Sequence, residues 1–271
     1  MSVPAEKVPF GYRTVGAEEK KRLVHDAFTP IAGTYDRADA WLSLGLHFLW
    51  KRATVRRLGL RPGERVLDVC GGTADLALLA AKRVGANGLT AVCDFNRSMM
   101  DVGRRKSARP RQGGAVGFVQ GDAELLPFPD GSFDAVTVGF GLRNLVDLDQ
   151  GLREIHRVLR PGGRLGALEF SLPRRRWQRS LYAFYSFRFM LPASRLITGT
   201  DGPFRYLAES IRVFEPSEGV AGRLGRAGFA DVSCAPLSLG IAVVFSGRKP
   251  QEVSYAPDRS QSRRDVGPVP A

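Results

Sequence analysis

The chain predicts a doubly wound α/β fold built on a mostly parallel sheet, and three observations lead to it. Short apolar, β-prone runs alternate with amphipathic helical stretches. The first of those runs leads into two glycines and then a helix. A second run, about twenty residues later, ends in an aspartate, the arrangement that places a carboxylate beside the crevice of such a sheet.

Val66 to Val69 is the first strand, apolar and β-prone. Gly71 and Gly72 then let the backbone turn tightly and approach a ligand. Leu76 to Arg83 is helix-prone, so a helix N-terminus faces whatever lies over the glycines. Leu89 to Cys93 is the second strand, and Asp94 at its end can accept ribose hydroxyls. Val116 to Val119 is the third strand, followed by the loop Gly121 to Pro129. Ser132 to Val138 is the fourth. Asp147 to Leu159 is a helix with Leu148, Leu152, Ile155 and Leu159 on one face, stopped by Arg160-Pro161-Gly162-Gly163. Arg164 to Phe170 is the fifth strand. Trp177 to Leu191 is a dense aromatic and apolar insertion at the ligand end of the fold, either a core helix or a wall for an apolar substrate. Thr198 to Phe204 reads as a loop, Tyr206 to Phe214 as a helix, and Ala230 to Gly247 as a closing antiparallel hairpin. Right-handed crossovers follow from the alternation.

The glycine loop describes a site for a nucleoside-containing cofactor. A dinucleotide site wants G-x-G-x-x-G over a pyrophosphate. Here the loop is Gly71-Gly72-Thr73-Ala74-Asp75, with Asp68 just before it. Carboxylates on both sides disfavour a pyrophosphate and favour a cationic ligand. S-adenosylmethionine carries both a sulfonium and an α-amino group. The loop alone is weak evidence, because a strand-turn-helix without any ligand has the same pattern.

The order of strands and helices resembles the class I S-adenosylmethionine-dependent methyltransferase fold, which implies a Rossmann-like, seven-stranded, mostly parallel sheet with an antiparallel last strand. Further segments narrow the resemblance. Thr34-Tyr35-Asp36 with Leu42 to Arg52, then Gly139-Phe140-Gly141-Leu142-Arg143-Asn144, Leu168 to Pro173, Tyr206 to Arg212 and Ala227-Gly228-Phe229 occur in that order. They resemble the UbiE/MenG methyltransferases, the C-methylases of ubiquinone and menaquinone biosynthesis, over roughly Val24 to Lys249. The resemblance implies methylation of a ring carbon of a polyprenylated hydroquinone, most simply demethylmenaquinol to menaquinol or the equivalent ubiquinone-precursor step. Some positions depart from the family. Ala74 stands where a glycine is usual, and its methyl is expected to narrow the pocket slightly. Ala38-Asp39 replaces a Met-Asn pair, Pro203-Phe204 a Ser-Tyr pair, and Phe245 a histidine. Gly139 leans to the menaquinone side.

Roles follow from this chemistry. Asp68 and the loop Gly71, Gly72 and Thr73 are expected to hold the methionine moiety, Asp94 the ribose, and Asp122 and Ala123 the adenine, with Gly139 completing the cofactor set. Methyl transfer to carbon is an in-line displacement that needs alignment and exclusion of water. The ring carbon becomes nucleophilic when a neighbouring phenol, with a pKa of roughly 10, loses its proton. Arg143 stays protonated and can hold a phenolate. Tyr35 and Asp36 are the other catalytic candidates, Asp36 as a base or simply a helix-cap residue. Of the histidines, His47 can face the pocket, His156 reads as a packing residue and His25 carries no signal. No histidine has a metal-ligand partner and the chemistry needs no metal.

At 271 residues one core suffices. Residues 1–50 read as an N-terminal helical segment covering the site, with Val3 to Arg13 a ragged arm. Residues 51–249 read as the methyltransferase domain, with an aromatic helical lid over 173–215, and 250–271 as a disordered tail. Cys70, Cys93 and Cys234 lack metal spacing and read as reduced thiols. With no secretory segment and no run long enough to span a bilayer, a cytoplasmic protein is expected. The net charge of +13 collects at Lys51-Arg52 with Arg56-Arg57, at Arg104-Arg105-Lys106, and at Arg174-Arg175-Arg176 with Arg179. No nucleic-acid motif accompanies these clusters, so no nucleic-acid partner is expected. They suit either a solvated surface or the anionic inner face of a membrane, to which the enzyme would attach peripherally. The oligomeric state stays open, a homodimer among the alternatives. Two rival functions remain: methylation of another lipophilic acceptor such as a sterol or phospholipid, and a non-catalytic nucleic-acid-binding protein on the same fold.

Overall fold

The computed structural model describes residues 7–108 and 113–251. It opens on a β-hairpin, β1 (Lys7–Phe10) and β2 (Arg13–Gly16), followed by three helices, α1 (Ala17–Phe28), α2 (Tyr35–Leu42) and α3 (Leu46–Arg57). The expected ragged arm is therefore ordered from residue 7. Val8 and Val15 are buried, and Phe10 stacks on Tyr206 with ring centroids 4.2 Å apart. Residues 1–6 lie outside the described residues, as do residues 252–271, where the tail was expected.

The α/β body follows as β3 (Arg65–Val69), α4 (Asp75–Val84), β4 (Leu89–Asp94), α5 (Arg97–Ser107), β5 (Val116–Gln120), β6 (Phe133–Gly139), α6 (Leu148–Val158) and β7 (Leu159–Phe170). A single 3₁₀ turn, Leu142–Asn144, leaves the end of β6. Then come α7 (Arg176–Tyr185), a π turn at Ser186–Met190, α8 (Leu191–Thr198), α9 (Gly202–Val213), α10 (Ser217–Arg226), β8 (Ala230–Leu237) and β9 (Ala242–Arg248). The seven-stranded sheet has the order β5-β4-β3-β6-β7-β9-β8, and β9 runs antiparallel to both neighbours. Strand order reverses between β3 and β6, so the crevice that such sheets use for ligands opens above those two strands.

Alternation along the strands splits the core. Leu67, Val69, Val136 and Val138 pack with Leu152, Ile155 and Val158 of α6. Val66 and Ala135 take the other face with Ala80 and Val84 of α4. Asp68, two residues after Val66, shares the α4 face, which delivers its carboxylate to that helix.

Two boundaries differ from the sequence reading. The predicted loop Thr198 to Phe204 shrinks to three residues, because Pro203 sits in the first turn of α9, where a missing N–H costs nothing. The expected helix stop at Arg160 to Gly163 already belongs to the edge of β7. There Gly162 N–H donates to Lys249 O, and Lys249 N–H to Gly163 O, each at 2.9 Å.

Candidate active site

A carboxylate-bearing cavity opens at the carboxyl ends of β3, β4 and β6, lined by the glycine loop, Asp68, Asp94, Asp122, Ala123, Glu124 and Gly139. Asp68 is fully buried. Its Oδ1 accepts from Thr137 Oγ1 at 2.7 Å and its Oδ2 from Ala77 N–H at 3.0 Å, so it anchors the start of α4. Burial pushes its pKa up to about 7 despite those donors. Asp94 accepts from Gly72 N–H at 2.9 Å and from Asn96 N–H at 2.8 Å. Burial outweighs both and pushes it up to about 6. A carboxylate oxygen has two lone-pair sites, so Asp94 keeps acceptor capacity for a ligand.

The loop leaves room for close approach. Gly72 adopts φ +48°, and a Cβ on Gly71 would lie 2.8 Å from Asp68 Oδ2. A Cβ on Gly141 would fall 2.5 Å from Cys70 Cβ, so the ends of β3 and β6 nearly touch over the cavity. Ala74 carries φ +68°, which accounts for the glycine usual at that position. Its methyl lies against α5 rather than in the cavity: a Cβ on Gly103 would sit 3.1 Å from it. The expected narrowing of the pocket is thus corrected; the cost of alanine falls on the backbone.

Helix α1 lies over this cavity, and the sequence did not reveal which of its side chains reach it. Lys21, Val24 and Phe28 line it. Lys21 Nζ meets Asp122 Oδ2 at 2.8 Å, so the residue expected to hold the adenine amine already has a cationic partner. Lys20 is buried and donates to Leu145 O at 2.6 Å; burial, opposed by Glu124, pushes its pKa down to about 8. Asn96 Nδ2 donates to Thr29 Oγ1 at 3.0 Å and ties the end of α1 to the start of α5.

A buried ionic chain joins α2, α3, the glycine loop and α5. Lys51 Nζ lies 3.0 Å from Asp39 Oδ2 and 2.9 Å from Asp75 Oδ2. Lys106 Nζ reaches Asp75 Oδ1 at 2.5 Å and Asp36 Oδ2 at 2.7 Å, while Asp36 Oδ1 accepts from Thr73 Oγ1 at 2.6 Å. Burial, which alone would raise the pKa of Asp75, is overcome by Lys51 and Lys106, and the carboxyl falls to about 2. Lys51 and Lys106, read from sequence as parts of basic clusters, are instead paired cations, Lys51 buried and Lys106 half-buried. Asp36 lines neither cavity and both its oxygens are engaged, so the structure places it as a brace for Thr73 rather than as a base at the acceptor. His47 is also withdrawn from the site: it is buried against Ser43 Oγ at 2.7 Å, and burial holds its pKa below the ordinary histidine value.

A second cavity of ≈ 420 Å³ lies next to the first. Its walls are overwhelmingly aliphatic and aromatic and come from α2, α3, α7, α9 and the turn before β9, with Asp39 and Arg143 the charged members. Phe28 and Tyr35 line both cavities. Burial raises the Tyr35 phenol above its ordinary value, so it stays a hydrogen-bond donor. Arg143 is buried, with Nη1 2.8 Å from Glu169 Oε1 and also bonded to Phe140 O. Its Nε has no hydrogen-bond partner among the described residues. Arg143 therefore braces the loop after β6, lines the apolar cavity and keeps one enclosed N–H without a partner among the described residues.

The donor set fits S-adenosylmethionine: buried carboxylates without bound cations at Asp68 and Asp94 suit an ammonium and ribose hydroxyls, and the glycines give the close approach. The sequence profile of the ubiE/COQ5 methyltransferase family matches residues 14–249. A Xanthomonas oryzae protein, named ubiquinone/menaquinone biosynthesis C-methyltransferase UbiE, is 43% identical over 240 residues, 89% of this chain and 95% of its own length. A Pseudomonas entomophila protein of the same name is 44% identical over 241 residues, covering 89% and 94%. Among solved structures, a possible histamine N-methyltransferase from Thermotoga maritima aligns with TM-score 0.57 at 19% identity, covering 83% of this chain and 99% of that one. A Haemonchus contortus phosphoethanolamine N-methyltransferase in complex with S-adenosylhomocysteine aligns with TM-score 0.61 at 16% identity, over 86% and 60%. These two likenesses speak for the class I methyltransferase fold.

Proposed function

The chain belongs to the ubiE/COQ5 methyltransferase family and is an S-adenosylmethionine-dependent methyltransferase; from that premise we propose that it methylates a ring carbon of a polyprenylated hydroquinone, most simply demethylmenaquinol. The observation that carries this reading is the meeting of a carboxylate-bearing cavity and an apolar one at Tyr35 and Phe28. A lipophilic ring in the second cavity would present its edge to the first, and an isoprenoid tail would run along the aromatic walls of α7 and α9. The names of its relatives, ubiquinone/menaquinone biosynthesis C-methyltransferases, support the same substrate class.

When bound, S-adenosylmethionine supplies an electrophilic methyl group on its sulfonium. Asp94 accepts hydroxyl donors, and Asp68 holds the loop that orients the methionine end. Arg143 offers its guanidinium charge, and Tyr35 its phenol, to an acceptor oxygen that gains negative charge as the ring carbon becomes nucleophilic. Phe28, Val24 and the apolar walls exclude water from the donor. Quinone profiling of a strain lacking this gene tests the reading. A demethyl quinone should accumulate; an unchanged profile would sink it.

A further inference from the structure

We propose that the groove between α3 and α4, with the apolar turn tips beside it, is the face that seats this protein on an anionic phospholipid bilayer, with the mouth of the apolar cavity turned to the lipid. The inference deepens the quinol reading and rests on it for the purpose of the docking, not for its geometry. Arg52, Arg56, Lys82 and Arg83 line the groove, and no carboxylate does. None of the four forms an ion pair among the described residues, in contrast to Lys51 on the same helix. Arg174 of the cluster singled out in the sequence is instead paired with Glu218 at 2.6 Å, and Arg179 Nε donates to Pro173 O at 2.7 Å. Four unpaired cations thus stand together on α3 and α4 around one groove.

The groove adjoins the apolar cavity. Trp50 lines both, and its indole N–H donates to Ser238 Oγ at 2.8 Å, which fixes the turn before β9 against α3. On either side of the cavity mouth stands a leucine on a turn tip: Leu44 between α2 and α3, 78% exposed, and Leu239 between β8 and β9, 76% exposed. Both hold positive φ, +51° and +59°, a conformation that costs a non-glycine residue energy and that water gives no reason to keep. Trp41, Phe48 and Leu49 extend the exposed apolar surface along α2 and α3. Apolar tips backed by unpaired cations match a bilayer: side chains enter the acyl boundary while guanidinium and ammonium groups meet lipid phosphates. A nucleic acid would use the cations but leave the leucine tips in water.

The test is flotation of the full chain with vesicles of phosphatidylglycerol and phosphatidylcholine, against vesicles of phosphatidylcholine alone. The combined variant Arg52→Gln, Arg56→Gln, Lys82→Gln, Arg83→Gln should lose at least about tenfold in binding to the anionic vesicles at low salt. It should keep wild-type melting and wild-type turnover on a short-tail quinol. Leu44→Ser with Leu239→Ser should also lower vesicle binding, at low and high salt alike. Neutralising Arg174, Arg175 and Arg176 should leave it close to wild type. Wild-type vesicle binding by the four-cation variant would overturn the proposal. If no quinol is methylated, loss of flotation in that variant still supports the docking face, so the two readings fail separately.

Discussion

Arg143 has two duties that a single alanine substitution would confound. Its guanidinium neutralises the fully buried Glu169 and holds the carbonyl of Phe140. Arg143→Ala would strand that carboxylate and should cost about 3–5 kcal/mol of stability. Phe140, Gly141 and Asn144 line the cofactor cavity, so cofactor affinity should fall as well, contrary to what a location on the acceptor side alone would suggest. Arg143→Lys keeps the charge opposite Glu169 but loses the planar fork and Nε. It should melt close to wild type while turnover drops by about 10²-fold, the scale of one lost oxyanion donor; full turnover in the lysine variant would remove the guanidinium fork from the reaction. Asp94 gives a pH test. Burial lifts its folded pKa to about 6, so the carboxylate form that accepts ribose hydroxyls is lost as pH falls through that value. Cofactor affinity should weaken by about tenfold or more from pH 7 to pH 5 in calorimetry, and Asp94→Asn should bind weakly with a shallower profile, the remaining slope being that of Asp68. The sign for unligated stability is opposite. The folded state retains a proton that the unfolded chain has released, so Asp94, with Asp68 at about 7, removes stability as pH rises from about 4 toward 7.

Among the elements, those with a strong periodic signal were legible from the sequence. Val66 to Val69, Leu89 to Asp94 and the α6 stripe of Leu152 and Ile155 carry burial patterns that only one fold class satisfies, and the glycines locate the crevice. The hairpin of β1 and β2 was not legible, because two four-residue strands with two buried valines leave no pattern. Lys51 and Lys106 were hidden by exposed arginine neighbours, while their partners Asp39, Asp75 and Asp36 come from other elements. Within the N-terminal segment expected to cover the site, the particular contacts were equally invisible: Lys21 and Phe28 acquire meaning only when α1 lands on the cavity. The junction of the glycine loop with α5 yields a coupled prediction. Gly103→Ala would place a methyl 2.9 Å from Phe118 Cε1, 3.1 Å from Ala74 Cβ and 3.2 Å from Thr73 C. It should cost about 1–3 kcal/mol and weaken cofactor binding. Adding Ala74→Gly should recover part of that loss, as thermal melts of the two single variants and the double would show; strictly additive losses would mean the two sites do not touch.

At the scale of the whole molecule, the N-terminal elements and the α/β body form the site together. Helix α1 roofs the cofactor cavity, α2 supplies Tyr35 to both cavities, and the Lys51–Asp75–Lys106 chain ties α2 and α3 to the glycine loop. S-adenosylmethionine should therefore slow amide hydrogen exchange in α1 and α2 as well as in the loop after β3, and protection confined to the loop would contradict the roofing role. No helix among the described residues is long and apolar enough to cross a membrane; Leu44 and Leu239, both exposed, line the apolar cavity. The central claim is carbon methylation of a hydroquinone where the two cavities meet. Its most direct test is incubation of the purified protein with S-adenosylmethionine carrying a labelled methyl group and a chemically reduced demethyl naphthoquinol or benzoquinol. NMR of the product then locates the label. The account predicts label on a ring carbon next to a phenolic oxygen; label on oxygen, or no transfer to either quinol by protein that binds the cofactor, would contradict it.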